Sequence, residues 1–180
     1  MVAVRWRAAD GAGVEHAEII AGLSQILIDS VVIGDRFGPY GARYRLRCAP
    51  DWSVRGVEVD VGGGRSLALT SDGGGNWSNG DGKEVPELRG CIDVDISATP
   101  LTNTLPIRRL ELAAKERREI RVVYIPVPSL EPVPARQAYT CLLPGQRYRY
   151  EGLFRDFEAE LEIDAHGLVI DYPTLFTRIL

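Results

Sequence analysis

The chain has 180 residues, 45% of them hydrophobic and 26% charged, with a formal net charge of −4. That balance excludes full disorder, and a sequence pI near 5.3 excludes a general attraction to nucleic acid. Surface scaling predicts a folded area of about 8,600 Å² with about 70% of the extended surface buried, enough for one core, so a single domain over residues 1–180 is expected.

The elements follow in chain order. Met1 to Asp10 carries Arg5, Trp6 and Arg7 but no apolar run, which predicts no signal peptide. Arg43-Tyr44-Arg45-Leu46-Arg47-Cys48 alternates charge with apolar bulk, and Val57-Glu58-Val59-Asp60-Val61 does the same with carboxylates. Turn signals follow at Gly62-Gly63-Gly64, Asp72-Gly73-Gly74-Gly75-Asn76 and Asn79-Gly80-Asp81-Gly82. They read as hairpin turns, because neither Gly-rich run matches a phosphate-binding loop. Alternation returns at Ile92-Asp93-Val94-Asp95-Ile96. Thr99-Pro100 offers a cap and first residue for a short helix ending before Pro106. Leu110 to Glu119 has good helix propensity but could equally be two strand ends around a turn. Ile120 to Ile125 reads as strand, and the stretch from Pro126 to Pro134 as a rigid connection. Gln146 to Tyr150 and Phe157 to Ile163 alternate again, separated from their neighbours by Pro144-Gly145 and Asp164-Ala165-His166-Gly167. Tyr172 to Leu180, with Pro173 as a starter, reads as a C-terminal helical turn.

Period-two alternation along the whole chain predicts one large antiparallel sheet, wet on one face and packed on the other. Arg43, Arg45, Arg47, Arg147 and Arg149 are expected to pair with carboxylates of neighbouring strands. The little helix available cannot cover such a sheet. It must curl onto itself, keep a partly open apolar concavity or pair with another chain. A curled sheet with a small helical plug suits an apolar ligand.

Several residues invite a chemical reading. Asp93 and Asp95 share a strand face by spacing and could form an acid/base or cation-binding pair, or simply a solvated face. His16 beside Glu15 could serve as a base for Cys91, although no nucleophile elbow accompanies them. The cysteines Cys48, Cys91 and Cys141 lack metal-site spacing and read as buried free thiols, which suits a cytoplasmic location. Thr102 and Asn103 beside Arg108 and Arg109 could hydrogen-bond phosphate, carboxylate or sugar hydroxyls. Alternatively a buried arginine is tied to Asp93 or Asp95. Trp6, Trp52 and Trp77 could stack on sugar rings or pack in the core. No run is apolar enough to span a bilayer as a helix.

The strings Gly90-Cys91-Ile92-Asp93-Val94-Asp95 and Thr99-Pro100-Leu101-Thr102-Asn103-Thr104-Leu105-Pro106-Ile107-Arg108-Arg109-Leu110 resemble the signature of the putative glycolipid-binding family of bacterial proteins. Trp6, Glu15-His16, Asp51-Trp52, the Asp72 to Trp77 turn, Asp81-Gly82, Gln137-Ala138-Tyr139, Gly167-Leu168-Val169 and Asp171-Tyr172-Pro173 agree with it. The resemblance implies a spiral β-roll, or half-barrel, around one short helix. It also implies a homodimer and a shape similar to lipoprotein-carrier proteins. One departure is Ala113-Ala114-Lys115-Glu116, where the family usually has a glycine. The expected function is a non-catalytic carrier for a glycolipid or similar amphiphile, with no metal and no cofactor. Arg108, Arg109, Thr102, Asn103, the three tryptophans, Asp93 and Asp95 are its candidate ligand residues. The alternatives are a small hydrolase or lyase using Asp93 and Asp95 with Cys91 or His16, and a structural dimerisation module.

Overall fold

The computed structural model describes residues 1–180. Fourteen strands make one open, mixed sheet holding 53% of the chain. The first seven are β1 (Val2–Ala8), β2 (Val14–Ala21), β3 (Ile26–Gly34), β4 (Tyr40–Cys48), β5 (Val54–Val61), β6 (Arg65–Ser71) and β7 (Trp77–Asn79). After a 3₁₀ turn come β8 (Asp93–Ile96), a second 3₁₀ turn and the helix α1 (Thr104–Leu110). The remaining strands are β9 (Arg117–Ile125), β10 (Val133–Leu143), β11 (Arg147–Gly152), β12 (Phe157–Ile163), β13 (Val169–Tyr172) and β14 (Phe176–Arg178). In space the order runs β7 to β1, then β14 back to β8. Two sets of strands, each paired in chain order, therefore meet at one seam, where β1 pairs with β14.

The alternating runs form strands because each buries one side. In β4 the buried residues are Ala42, Tyr44, Leu46 and Cys48, with Arg43, Arg45 and Arg47 outside. Four of the five expected arginines meet carboxylates across the sheet, Arg47 being without an ion pair: Arg45 to Glu58 at 3.6 Å, Arg147 to Glu160 at 3.7 Å and Arg149 to Glu160 at 3.4 Å. Arg43 instead takes Asp29 of β3, at 2.9 and 2.5 Å. Such exposed pairs fix register more than they stabilise. The folded surface is 8873 Å².

Curling of the sheet brings β8 inside. Val94 and Ile96 join the large core lined by β1 to β7. Asp93 and Asp95 lie on the other side, toward α1 and β10, so the reading of a solvated face is wrong here. A strand at the inner end of a spiral is covered on both faces, which alternation alone does not reveal. A smaller core packs Ile107 of α1 against Tyr139, Tyr148, Tyr150, Leu161 and Tyr172. The turn before β8 is locked to the Asp72 turn, where Gly90 N donates to Gly75 O at 2.8 Å. Gly75 has φ +98°, and a Cβ there would sit 2.9 Å from Gly90 Cα.

Three local expectations need correction, and one open alternative is settled. The pairing of β8 with β9 is parallel. Parallel neighbours need a crossover, and the stretch carrying α1 supplies it. The helix runs through Pro106 rather than ending before it. Pro106 lies in the first turn, where its missing N–H has no intrahelical acceptor to lose. Leu110 to Glu119 is not a helix: Glu111 turns left-handed and β9 begins at Arg117. Lys115, in the turn between α1 and β9, adopts φ +67°. Finally, Phe176–Arg178 is the seam strand β14, not a helical turn.

Candidate functional site

The segment from Ser97 to Thr104 lies within the roll and is tied to its walls by its own side chains. Thr99 Oγ1 accepts from Leu101 N at 2.9 Å and lies 3.2 Å from Tyr44 Oη. Thr102 Oγ1 accepts from Ile96 N at 3.3 Å. Asn103 Oδ1 accepts from Tyr139 Oη at 2.8 Å, and Thr104 Oγ1 donates to Gly167 O at 2.8 Å. The hydroxyl and amide residues of the signature thus bind the chain itself, and Asn103 also reaches a cavity wall.

Arg109 donates to both oxygens of Asp93, at 3.0 and 2.6 Å. The Asp93 side chain is 0% exposed. Burial pushes its carboxyl upward and the Arg109 guanidinium pulls it back. Arg108 stacks over the half-buried Trp52, 5.5 Å from the ring centre. Trp77 is buried, with Nε1 donating to Cys91 O at 2.7 Å. Cys91 is buried, whereas His16 lies on the outer face between Arg5 and Glu18. The structure therefore does not bring Asp93, Asp95, Cys91 and His16 together as one cluster. No three His, Cys, Asp or Glu side chains are grouped to hold a metal ion.

Asp95 and Trp6 line a cleft, in two adjoining compartments that share Arg36, Ser97, Leu175 and Phe176. The first, of about 220 Å³, has Asp95 and Asn103 among aromatic Tyr124, Tyr150, Phe157 and Tyr172. Gln137 Nε2 donates to Asp95 Oδ2 at 2.5 Å. Burial raises the Asp95 carboxyl, with Gln137 and the positive charges of Arg155 and Arg36 opposing it. Arg155 stacks 4.0 Å from the Tyr124 ring centre and 4.6 Å from that of Phe154. Neither Arg36 nor Arg155 forms an ion pair.

The second compartment, of about 240 Å³, is lined by Trp6, Ala8, Val32, Tyr40 and Ala98, with Glu15 in its wall. Trp6 is fully buried and donates from Nε1 to Val169 O at 2.8 Å. Glu15 Oε1 accepts from Ser30 Oγ at 2.7 Å and Tyr44 Oη at 2.5 Å. Burial pushes the Glu15 carboxyl up to about 7. Two buried side-chain atoms of the chain have no hydrogen-bond partner, Glu15 Oε2 and Tyr124 Oη. Their residues line one compartment each, Tyr124 the first and Glu15 the second. Buried polar atoms without partners are rare, and their grouping in one cleft marks it.

Arg36 and Arg155 were not singled out by the sequence. Both lie at loop tips beside a phenylalanine, in Gly34-Asp35-Arg36-Phe37-Gly38 and Leu153-Phe154-Arg155-Asp156. Those loops, interrupting two alternating runs, were the available signal.

Residues 3–178 match the family described as putative glycolipid-binding. The chain belongs to that family. No curated protein matches it. The fold is similar to the crystal structure of a DUF1089 family protein from Pseudomonas aeruginosa. The TM-score is 0.80 at 44% identity, with 92% of each chain covered. In this member of the putative glycolipid-binding family, no helix is long and apolar enough to cross a membrane.

Proposed function

We propose that the protein binds a glycolipid or similar amphiphile in the two-compartment cleft, without catalysis. The observation that carries the reading is the pair of unpartnered buried atoms, Tyr124 Oη and Glu15 Oε2, whose residues line one compartment each. The first compartment suits a hydroxyl-rich head. Tyrosine faces cover a sugar ring, the Asp95 carboxylate accepts from hydroxyls, and Arg36 and Arg155 line the compartment without an ion-pair partner. The second suits the apolar body that follows the head. Each compartment alone falls below the ~300–1,000 Å³ of common ligand sites, but joined they reach it.

Calorimetric titration with n-octyl glucoside below its micelle-forming concentration, n-octanol and glucose tests this. The glucoside should bind more tightly than either half-ligand. Tyr124→Phe should weaken it by about 2–10-fold, the worth of one hydrogen bond, and leave n-octanol unchanged. No binding, or equal binding of all three, would overturn the proposal.

A homodimer belongs to the same reading. The outer faces of β2 and β3 pair Val14 with Ile33, His16 with Val31 and Ile20 with Leu27 on one surface, with the charged Glu18 and Asp29 between the last two pairs. The five apolar members of that row are exposed. Light scattering should give twice the chain mass, and Val31→Asp should give the single mass.

A further inference from the structure

Glu15 reaches inward from β2, opposite Trp6 on β1 and Val32 on β3. Its Oε1 already accepts two hydroxyl protons. Tyr44 uses its proton on Glu15, so Thr99 donates to Tyr44 in turn. That chain of donors points at one oxygen and leaves Oε2 buried without a partner. Ser30, Tyr44 and Thr99 surround the Glu15 carboxyl, Tyr40 lies near it, and Asp10, Asp35 and Arg36 line the same compartment. Three carboxyl groups thus stand against one guanidinium in a space walled by Trp6, Tyr40 and Phe176. Aromatic faces attract cations, and a buried carboxylate with an unmet acceptor attracts a charged donor. A neutral hydroxyl would satisfy Oε2 but would leave this charge imbalance unused.

We infer that the second compartment takes an ammonium group carried on apolar carbons, with the Glu15 carboxylate as its counter-ion. The inference rests on reading the cleft as an amphiphile site and adds a second polar group to the ligand. It also accounts for a carboxyl group buried between Trp6 and Val32.

The test is calorimetric titration of the full chain with n-octylammonium chloride and its neutral isostere n-octanol between pH 6 and 8. The ammonium probe keeps its charge throughout, since alkylamines titrate near ~10.4. A Glu15 that titrates at about 7 goes from about 10% to about 90% ionised over that range, so ammonium affinity should rise about tenfold. The n-octanol affinity should stay flat or fall. Glu15→Gln should abolish both the rise and the preference for the ammonium, while its circular dichroism spectrum still reports a folded sheet. An ammonium affinity that is flat with pH overturns the inference, as does equal binding of both probes at pH 8. If n-octyl glucoside binds and the ammonium shows no preference, only the ammonium assignment falls. If no probe binds, the amphiphile reading falls with it.

Discussion

Arg109→Met isolates the ion pair beneath α1. The substitution keeps the aliphatic stem and removes the only ion-pair partner of Asp93, whose side chain is 0% exposed. An unpaired charge cannot stay in that position, so Asp93 takes up a proton or the helix moves. Breaking a buried pair from one side costs about 3–5 kcal/mol. At about 2.1 cal/mol/K per residue over 180 residues, that loss lowers Tm by about 8–13 °C. The pH dependence carries a sign of its own. The folded Asp93 carboxyl is already raised by burial, and without Arg109 it is raised further. A raised acid loses its stabilising contribution as pH climbs from the unfolded value toward the folded one. The deficit of the variant should therefore be smaller at pH 4 than at pH 7. Differential scanning calorimetry at both pH values measures it. Adding Asp93→Leu should recover most of the loss, because replacing both partners by apolar groups is often neutral. A Tm drop under about 3 °C, or an equal drop at both pH values, would refute the assignment of a buried, mutually dependent pair.

The remaining expectations concern stability as well. Glu15 is raised from 4.5 to about 7, so its contribution is complete below 4.5 and is lost as pH rises through 7. Urea titrations should show wild type losing about 3 kcal/mol across that window relative to Glu15→Gln, and parallel pH profiles would contradict it. Lys115 holds a left-handed conformation at φ +67°, so Lys115→Gly should stabilise by about 0.5–1 kcal/mol, visible as a higher urea midpoint. Gly75→Ala should destabilise by about 1–3 kcal/mol, because Gly75 has φ +98° and a Cβ there would press on Gly90. An unchanged urea midpoint would show that the two turns are not held in contact.

The sheet was legible because alternation is a local property. Arg43 to Cys48 buries every second side chain whichever strands flank it. Position within the spiral is not local. Asp93 and Asp95 alternate as clearly as Glu158 and Glu160, yet the first pair faces the interior and the second faces water. Seam strand β14 has three residues, too short for a period to be read, and it exists because β1 lies beside it. The cleft was partly legible. Trp6 and Asp95 were candidates, but the arginines that stand free sit in loops, where spacing carries no information about convergence. Arg109 was noticed for its charge, and its spacing could not tell a ligand contact from the Asp93 pair.

The seam has a consequence for assembly. Each flank of the sheet is built mostly of neighbours in chain order, joined by short turns. Such hairpins close small loops and can form early. The seam instead joins distant residues: the Trp6 indole reaches Val169 across 163 positions. Closing a loop of that length costs roughly 4–5 kcal/mol of chain entropy before any contact repays it. The two flanks should therefore order separately and zip together last, with Trp6 as the bolt. A circular permutant opened in the Asn79-Gly80-Asp81-Gly82 turn would make the seam a local hairpin and move the slow step to the far rim of the roll.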